Sequence, residues 1–156
     1  MIRPATPADI ATILGLVREL AAFEREPDAV VATEADLAEA LFGDRPAAEA
    51  VIAEDGGAPL GFALFFHNFS TWTGKRGLYL EDLYVTPAAR GRGVGTALLR
   101  HLAAVALERG CGRFEWSVLD WNADAIAFYR AMGAVGMDEW TIQRVTGEAL
   151  QRLARG

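Results

Sequence analysis

Apolar residues recur along this chain with two different periods, and the switches between them mark its elements. Ile10, Ile13, Leu14, Val17, Leu20 and Ala21 are spaced by threes and fours, which predicts a helix. Thr6 supplies its N-cap and Pro7 the first helical position, while Pro27 closes the segment. Upstream, "MIRPAT" predicts a short strand broken at Pro4. A second, shorter helix is expected over "TEADLAEALFG", from the Thr33 cap to Gly43. The apolar runs "AEAVIAE" and "LGFALFFHNF" flank "DGGAP" and read as an antiparallel hairpin. "RGLYLEDLYV" is the next strand, partly buried on both faces.

Helical spacing returns in "GVGTALLRHLAAVALERG", where Val94, Leu98, Leu102 and Val105 share a stripe that stops at Gly110. "RFEWSVLD" predicts another strand. Asn122 caps a helix, "ADAIAFYRAMG", ending at Gly133. "AVGMDEWTIQRV" predicts one or two final strands, and Thr146 begins a C-terminal helix. The order β-α-α-β-β-β-α-β-α-β predicts an α/β chain: one mixed sheet with helices on both faces. Residues 1–156 are expected to form a single domain, with no repeat or linker.

Composition narrows the class. A hydrophobic share of 52% is enough to build a core, so disorder is not expected. A net charge of -6 argues against nucleic acid as the partner. The single cysteine, Cys111, rules out an intramolecular disulfide, and with His67 and His101 it has no metal-ligand spacing. No run approaches the ~20 apolar residues of a membrane span. The first residues lack the apolar core of a signal peptide. A soluble cytoplasmic protein without a metal is expected.

Between the fourth strand and the helix at Val94 lies "RGRGVGT", residues 90–96. A helix N-terminus offers unpaired N–H groups and the positive end of a dipole. Glycines let a phosphate approach that backbone. Arg90 and Arg92 add positive charge, so the simplest ligand is a pyrophosphate. The nucleoside triphosphate pattern needs a lysine here, and the only lysine is Lys75. The dinucleotide pattern needs a third glycine where Thr96 stands, although Glu115 lies about 20 residues on, as that pattern asks. The pattern [RQ]-x-x-G-x-[GA] is met by Arg90, Gly93 and Gly95.

With "IRPATPADI", "LYLEDLYV" and "WNADAIAFYRAMGA", this loop resembles the GNAT superfamily of acetyl-CoA-dependent N-acetyltransferases. Within it the chain is similar to diamine (spermidine/spermine) and thialysine acetyltransferases. The likeness covers nearly the whole chain. It implies a GNAT-like fold whose central sheet has splayed strands, acetyl-CoA as co-substrate, and a homodimer.

The resemblance also implies roles. The backbone of Leu83, Tyr84 and Val85 lines the pantetheine, and an N–H there polarises the acetyl carbonyl. The segment Gly91, Arg92, Gly93, Val94, Gly95 and Thr96 holds the pyrophosphate, with Arg90 beside it. Asn122 contacts the far side of coenzyme A, or is only an N-cap, or both. Tyr129 protonates the departing thiolate. Glu81 accepts the amine's proton, through ordered water. Asp82 borders the site only if a bulge interrupts strand alternation. Phe23 and Glu24 hold the amine, Trp72 forms a wall, and Asp138 or Glu139 reaches it from a last hairpin. A solvated surface is the competing reading for Glu24, Asp138 and Glu139. The expected reaction moves acetyl to a primary amine of a small cationic substrate, by direct attack in a ternary complex. Protein or antibiotic amines, and a non-catalytic acyl-CoA-binding module, are the alternatives.

Overall fold

A computed structural model describes residues 1–156. The chain forms two compact units, Met1–Leu119 and Asp120–Gly156. The first holds the whole sheet. Its elements run β1 (Ile2–Pro4), α1 (Ile10–Phe23), α2 (Glu34–Phe42), β2 (Glu49–Asp55), β3 (Ala58–Ser70), β4 (Lys75–Val85), α3 (Val94–Glu108) and β5 (Arg113–Trp116). The second contains α4 (Ala123–Ala131) and α5 (Gly147–Arg155). Spatial order follows chain order, β1-β2-β3-β4-β5, and every pair is antiparallel except β4 with β5.

Local chemistry accounts for the elements. Thr33 accepts from the N–H of Asp36 at 3.2 Å while Asp36 accepts from the N–H of Thr33 at 2.8 Å, which fixes the start of α2. Gly56 and Gly57 both have positive φ, 56° and 84°, the geometry a tight turn between twisted strands requires. Arg3 ties three elements together. Its guanidinium donates to Asp9 at 2.8 and 2.9 Å, just ahead of α1, and to Glu54 of β2 at 2.9 and 3.1 Å. That partner holds the Asp9 carboxyl at about 2, below its usual range.

Two apolar layers enclose the sheet. Ile13 and Leu16 of α1 and Leu41 of α2 cluster with Ala50, Ile52, Phe62 and Tyr84 on one face. Phe65 is three residues from Phe62 and so faces the other way. Arg109, at the end of α3, lies 5.8 Å from the Phe65 ring centre, which sets α3 on that second face. Leu98 and Leu102 of α3 are fully buried, each contributing roughly 1.5–3 kcal/mol by leaving water. His67 is structural: its Nε2 lies 3.5 Å from Arg109, whose guanidinium grips Glu49 at 2.6 and 2.9 Å, and burial lowers its pKa.

Two expectations are corrected. The strand expected over "RFEWSVLD" stops at Trp116. No strand forms in residues 134–145, where the one backbone–backbone bond within the segment runs from the Trp140 N–H to the Met137 carbonyl at 3.1 Å. Apolar residues do recur there, but a strand also needs a neighbour for its N–H and C=O groups, and no ladder reaches this segment.

Candidate active site

The site begins where two strands part. β5 pairs in parallel with Gly77–Leu80 of β4 and ends, while β4 continues to Val85. From Glu81 onward that edge of β4 has no strand beside it. Register shows which groups face it. Gly61 pairs with Val85, and the Thr86 N–H donates to the Leu60 carbonyl at 2.9 Å. In an antiparallel ladder this makes Gly61–Val85 a non-hydrogen-bonded pair. The N–H and C=O of Val85, and by alternation those of Leu83, therefore face the open edge, while those of Tyr84 serve the β3 ladder. An extended amide-bearing ligand can be added there as another strand.

At the start of this edge the ladder slips. Phe65 pairs with Leu80 and Leu64 with Asp82, leaving Glu81 as an extra residue. The bulge turns Asp82 to the face of Tyr84 and α1 and leaves Glu81 exposed. Burial pushes the Asp82 carboxyl up to about 6, helped by the negative charges of Glu81 and Glu24. Burial also raises the Glu24 carboxyl. Three carboxyls from two elements thus meet beside the open edge, a setting that favours a cation.

At the other end of the edge is the loop. Gly91 and Gly93 have φ of 79° and 78°, and Gly93 is the residue that starts α3. A Cβ on either would meet nothing within 4 Å, so the glycines are required by backbone conformation, and the space before them is open. The first helical bond runs from the Ala97 N–H to the Gly93 carbonyl at 3.0 Å, so the amides of Val94, Gly95 and Thr96 precede the first rung. Arg92 approaches Asp55 at 3.5 Å on the surface. The loop therefore fits the pyrophosphate of coenzyme A, which Gly91–Thr96 would hold by backbone donors. Arg90 behaves differently from Arg92. Its Nε donates to the Val85 carbonyl at 3.2 Å, and its guanidinium carbon lies 5.2 Å from the Phe23 ring centre and 5.5 Å from that of Tyr84.

Trp72 does not join this group. It lies on the turn between β3 and β4 and is 90% exposed. Glu81 lies six positions along β4 from Lys75, roughly 20 Å at strand rise. The expected wall is therefore absent from the site within this chain, because the hairpin carries Trp72 away along the strand axis.

In the second unit, the Asn122 side chain accepts from the Ala125 N–H at 3.2 Å, so it caps α4. Tyr129 is half-buried in the last turn of α4, its ring centre 5.5 Å from that of Phe128. Asp138 and Glu139 lie in a turn, not in the hairpin expected for them. Sequence reasoning missed Arg25, which adopts φ 67° directly after Glu24. The Arg25 N–H donates to the Ala22 carbonyl at 3.1 Å and the Glu26 N–H to that of Ala21 at 2.9 Å, closing α1 with a left-handed residue that is normally glycine. It missed Glu19 too, which accepts from the Tyr84 hydroxyl at 3.1 Å.

Residues 16–134 match the Acetyltransferase (GNAT) family. The chain is 39% identical to the thialysine N-epsilon-acetyltransferase of Sus scrofa, over 99% of this chain and 96% of the relative. It is 34% identical to an L-ornithine N5-acetyltransferase of Arabidopsis thaliana, over 97% and 86%. Among solved structures, an integron cassette protein from the mobile metagenome of V. cholerae superposes with a TM-score of 0.84 at 29% identity. That match covers 100% of this chain and 98% of the other.

Proposed function

The chain belongs to the GNAT family of acetyltransferases, and we propose that it acetylates the terminal primary amine of a small cationic acceptor, a lysine-like amino acid or a polyamine. Enzymes of this family use acetyl-CoA as co-substrate. The observation that carries the acceptor class is the meeting of Glu24, Glu81 and Asp82 at the start of the open β4 edge. The names of the relatives, thialysine and ornithine acetyltransferases, support the same chemistry.

An aliphatic amine has a pKa of about 10.4 and is cationic at neutral pH. Asp82 and Glu24 draw that cation to the bulge. Glu81, exposed to solvent, takes its proton through water, and the neutral amine attacks the thioester. The carbonyl carbon gains the new C–N bond and loses the sulfur. A backbone N–H of the Leu83–Val85 edge stabilises the oxyanion. Tyr129 gives its hydroxyl proton to the thiolate and regains one, through water, from the nitrogen of the adduct. Gly91–Thr96 and Arg92 hold the pyrophosphate, and Asn122 adds a contact from the start of α4. We further propose a cytoplasmic homodimer acting on small molecules. Support for the dimer is the run of exposed apolar residues in the second unit, including Trp140 at 67% and Ile142 at 72%.

Release of coenzyme A thiol over thialysine, lysine, ornithine, spermidine, a lysine peptide and an aminoglycoside tests this reading. Turnover of the small aliphatic amines is expected. Turnover confined to the peptide or the aminoglycoside, or none at all, overturns it.

A further inference from the structure

We propose that Arg90 is a positioning residue that clamps the acceptor end of α1 to the end of β4, and not a ligand of the coenzyme's phosphates. The inference rests on the amine-acetylation reading above. Motif position and positive charge alone would assign Arg90 to the pyrophosphate. Its geometry assigns it elsewhere.

Three contacts carry the argument. Nε donates to the Val85 carbonyl at 3.2 Å, on the open edge of β4. The guanidinium stands 5.2 Å from the ring centre of Phe23, the last residue of α1, and 5.5 Å from that of Tyr84 in β4. A guanidinium over two ring faces is held by both. Tyr84 closes the clamp, since its hydroxyl donates to Glu19, one helical turn before Phe23. The clamped segment is itself strained: Arg25 holds φ 67°, which costs a non-glycine residue and persists only where neighbours enforce it. Glu24 lies between Phe23 and Arg25, so the clamp sets where its carboxylate stands relative to Asp82.

Arg90 also bounds the strand-addition site. With the Val85 carbonyl taken, the outward groups left for an extended ligand are the N–H and C=O of Leu83 and the N–H of Val85. Beyond Arg90 the chain enters the glycine loop.

Lysine at position 90 keeps the charge but loses the Nε donor and the planar stack. In Arg90→Lys and Arg90→Gln, the KM for the amine is expected to rise at least tenfold, with kcat at saturating amine within threefold. The Kd for coenzyme A should stay within threefold at 50 and at 200 mM salt. Phe23→Leu, which keeps apolar bulk but removes the ring face, should reproduce the rise in amine KM. Loss of coenzyme A affinity by tenfold or more with a flattened salt dependence, or an unchanged amine KM, overturns the proposal. Wild-type turnover is read first, because no turnover of any amine defeats the functional reading and leaves the clamp to be judged separately. For that, hydrogen exchange of the amides of Arg25 and Glu26 should quicken at least tenfold in Arg90→Lys, with that of Ala97 unchanged. Unchanged exchange at Arg25 and Glu26 overturns the clamp.

Discussion

Leu80 and Asp82, two residues apart in β4, lie on opposite faces of the sheet. In a regular strand they would share a face. Glu81, the extra residue between them, reverses the pleat, and the reversal delivers Asp82 to α1 without disturbing Leu80 in the core. Deleting Glu81 should therefore restore an uninterrupted ladder, with Leu80 still opposite Phe65 and Asp82 opposite Leu64. The shortened protein is expected to fold, checked by circular dichroism and thermal melting, yet to lose at least about 100-fold in kcat with the proposed general base gone. Glu81→Gln should lose a similar factor with an unaltered melt.

Asp82 imposes a pH dependence on stability. Its carboxyl titrates near 6 in the fold against a usual 3.8, so the folded state holds the proton more tightly. The stabilisation this gives is fully present below pH 3.8 and is lost as pH rises through 6. Asp82→Asn removes the cost of the buried charge. At pH 7.5 it should raise stability by at most about 3 kcal/mol in urea titrations, and at pH 3.5 the gain should vanish. A gain that persists at pH 3.5 would point to packing instead of charge.

Tyr129 is tested by its hydroxyl alone. Tyr129→Phe is expected to lower kcat by about 100-fold or more while leaving the Kd for coenzyme A within a factor of about two. Equal losses in turnover and affinity would make it a binding residue.

Gly93 starts α3 in a left-handed conformation with open space before it. Gly93→Ala meets no clash, so its whole cost is backbone strain, about 1–2 kcal/mol, read by urea unfolding. The loop should relax in response and weaken coenzyme A binding, measured by calorimetry.

Arg25→Gly works in the opposite direction. It relieves a left-handed non-glycine residue and should stabilise the fold by roughly 0.5–1 kcal/mol, less what glycine's freedom returns to the unfolded chain. Freed of that constraint, Glu24 should hold the amine less well, so KM for the amine is expected to rise as the melting temperature does.

These residues also explain what the sequence could and could not convey. The Thr33 and Asn122 caps were legible because each side chain bonds an N–H three residues away. The loop was legible because its glycines are required by backbone conformation. The bulge was legible only as a condition, since its existence depends on the register of β3. Arg25 and the Arg90 clamp were not legible, because Phe23, Tyr84 and Arg90 meet only after α1 is laid against β4. The final strands were misread because alternation records where apolar side chains fall, not whether a ladder is available. Trp72 lies apart for a simpler reason: four residues after β3 ends at Ser70 the chain is still turning, and β4 then runs about 20 Å before reaching Glu81.

The unpaired stretch of β4 has one more consequence. A row of backbone groups left open for a ligand is equally open to any extended peptide, and so invites association between copies. This protein guards both ends. A charged residue bulges out where the row starts, and an arginine side chain occupies the last outward carbonyl. What remains exposed is too short for a stray strand to grip, though long enough for a slender thioester arm.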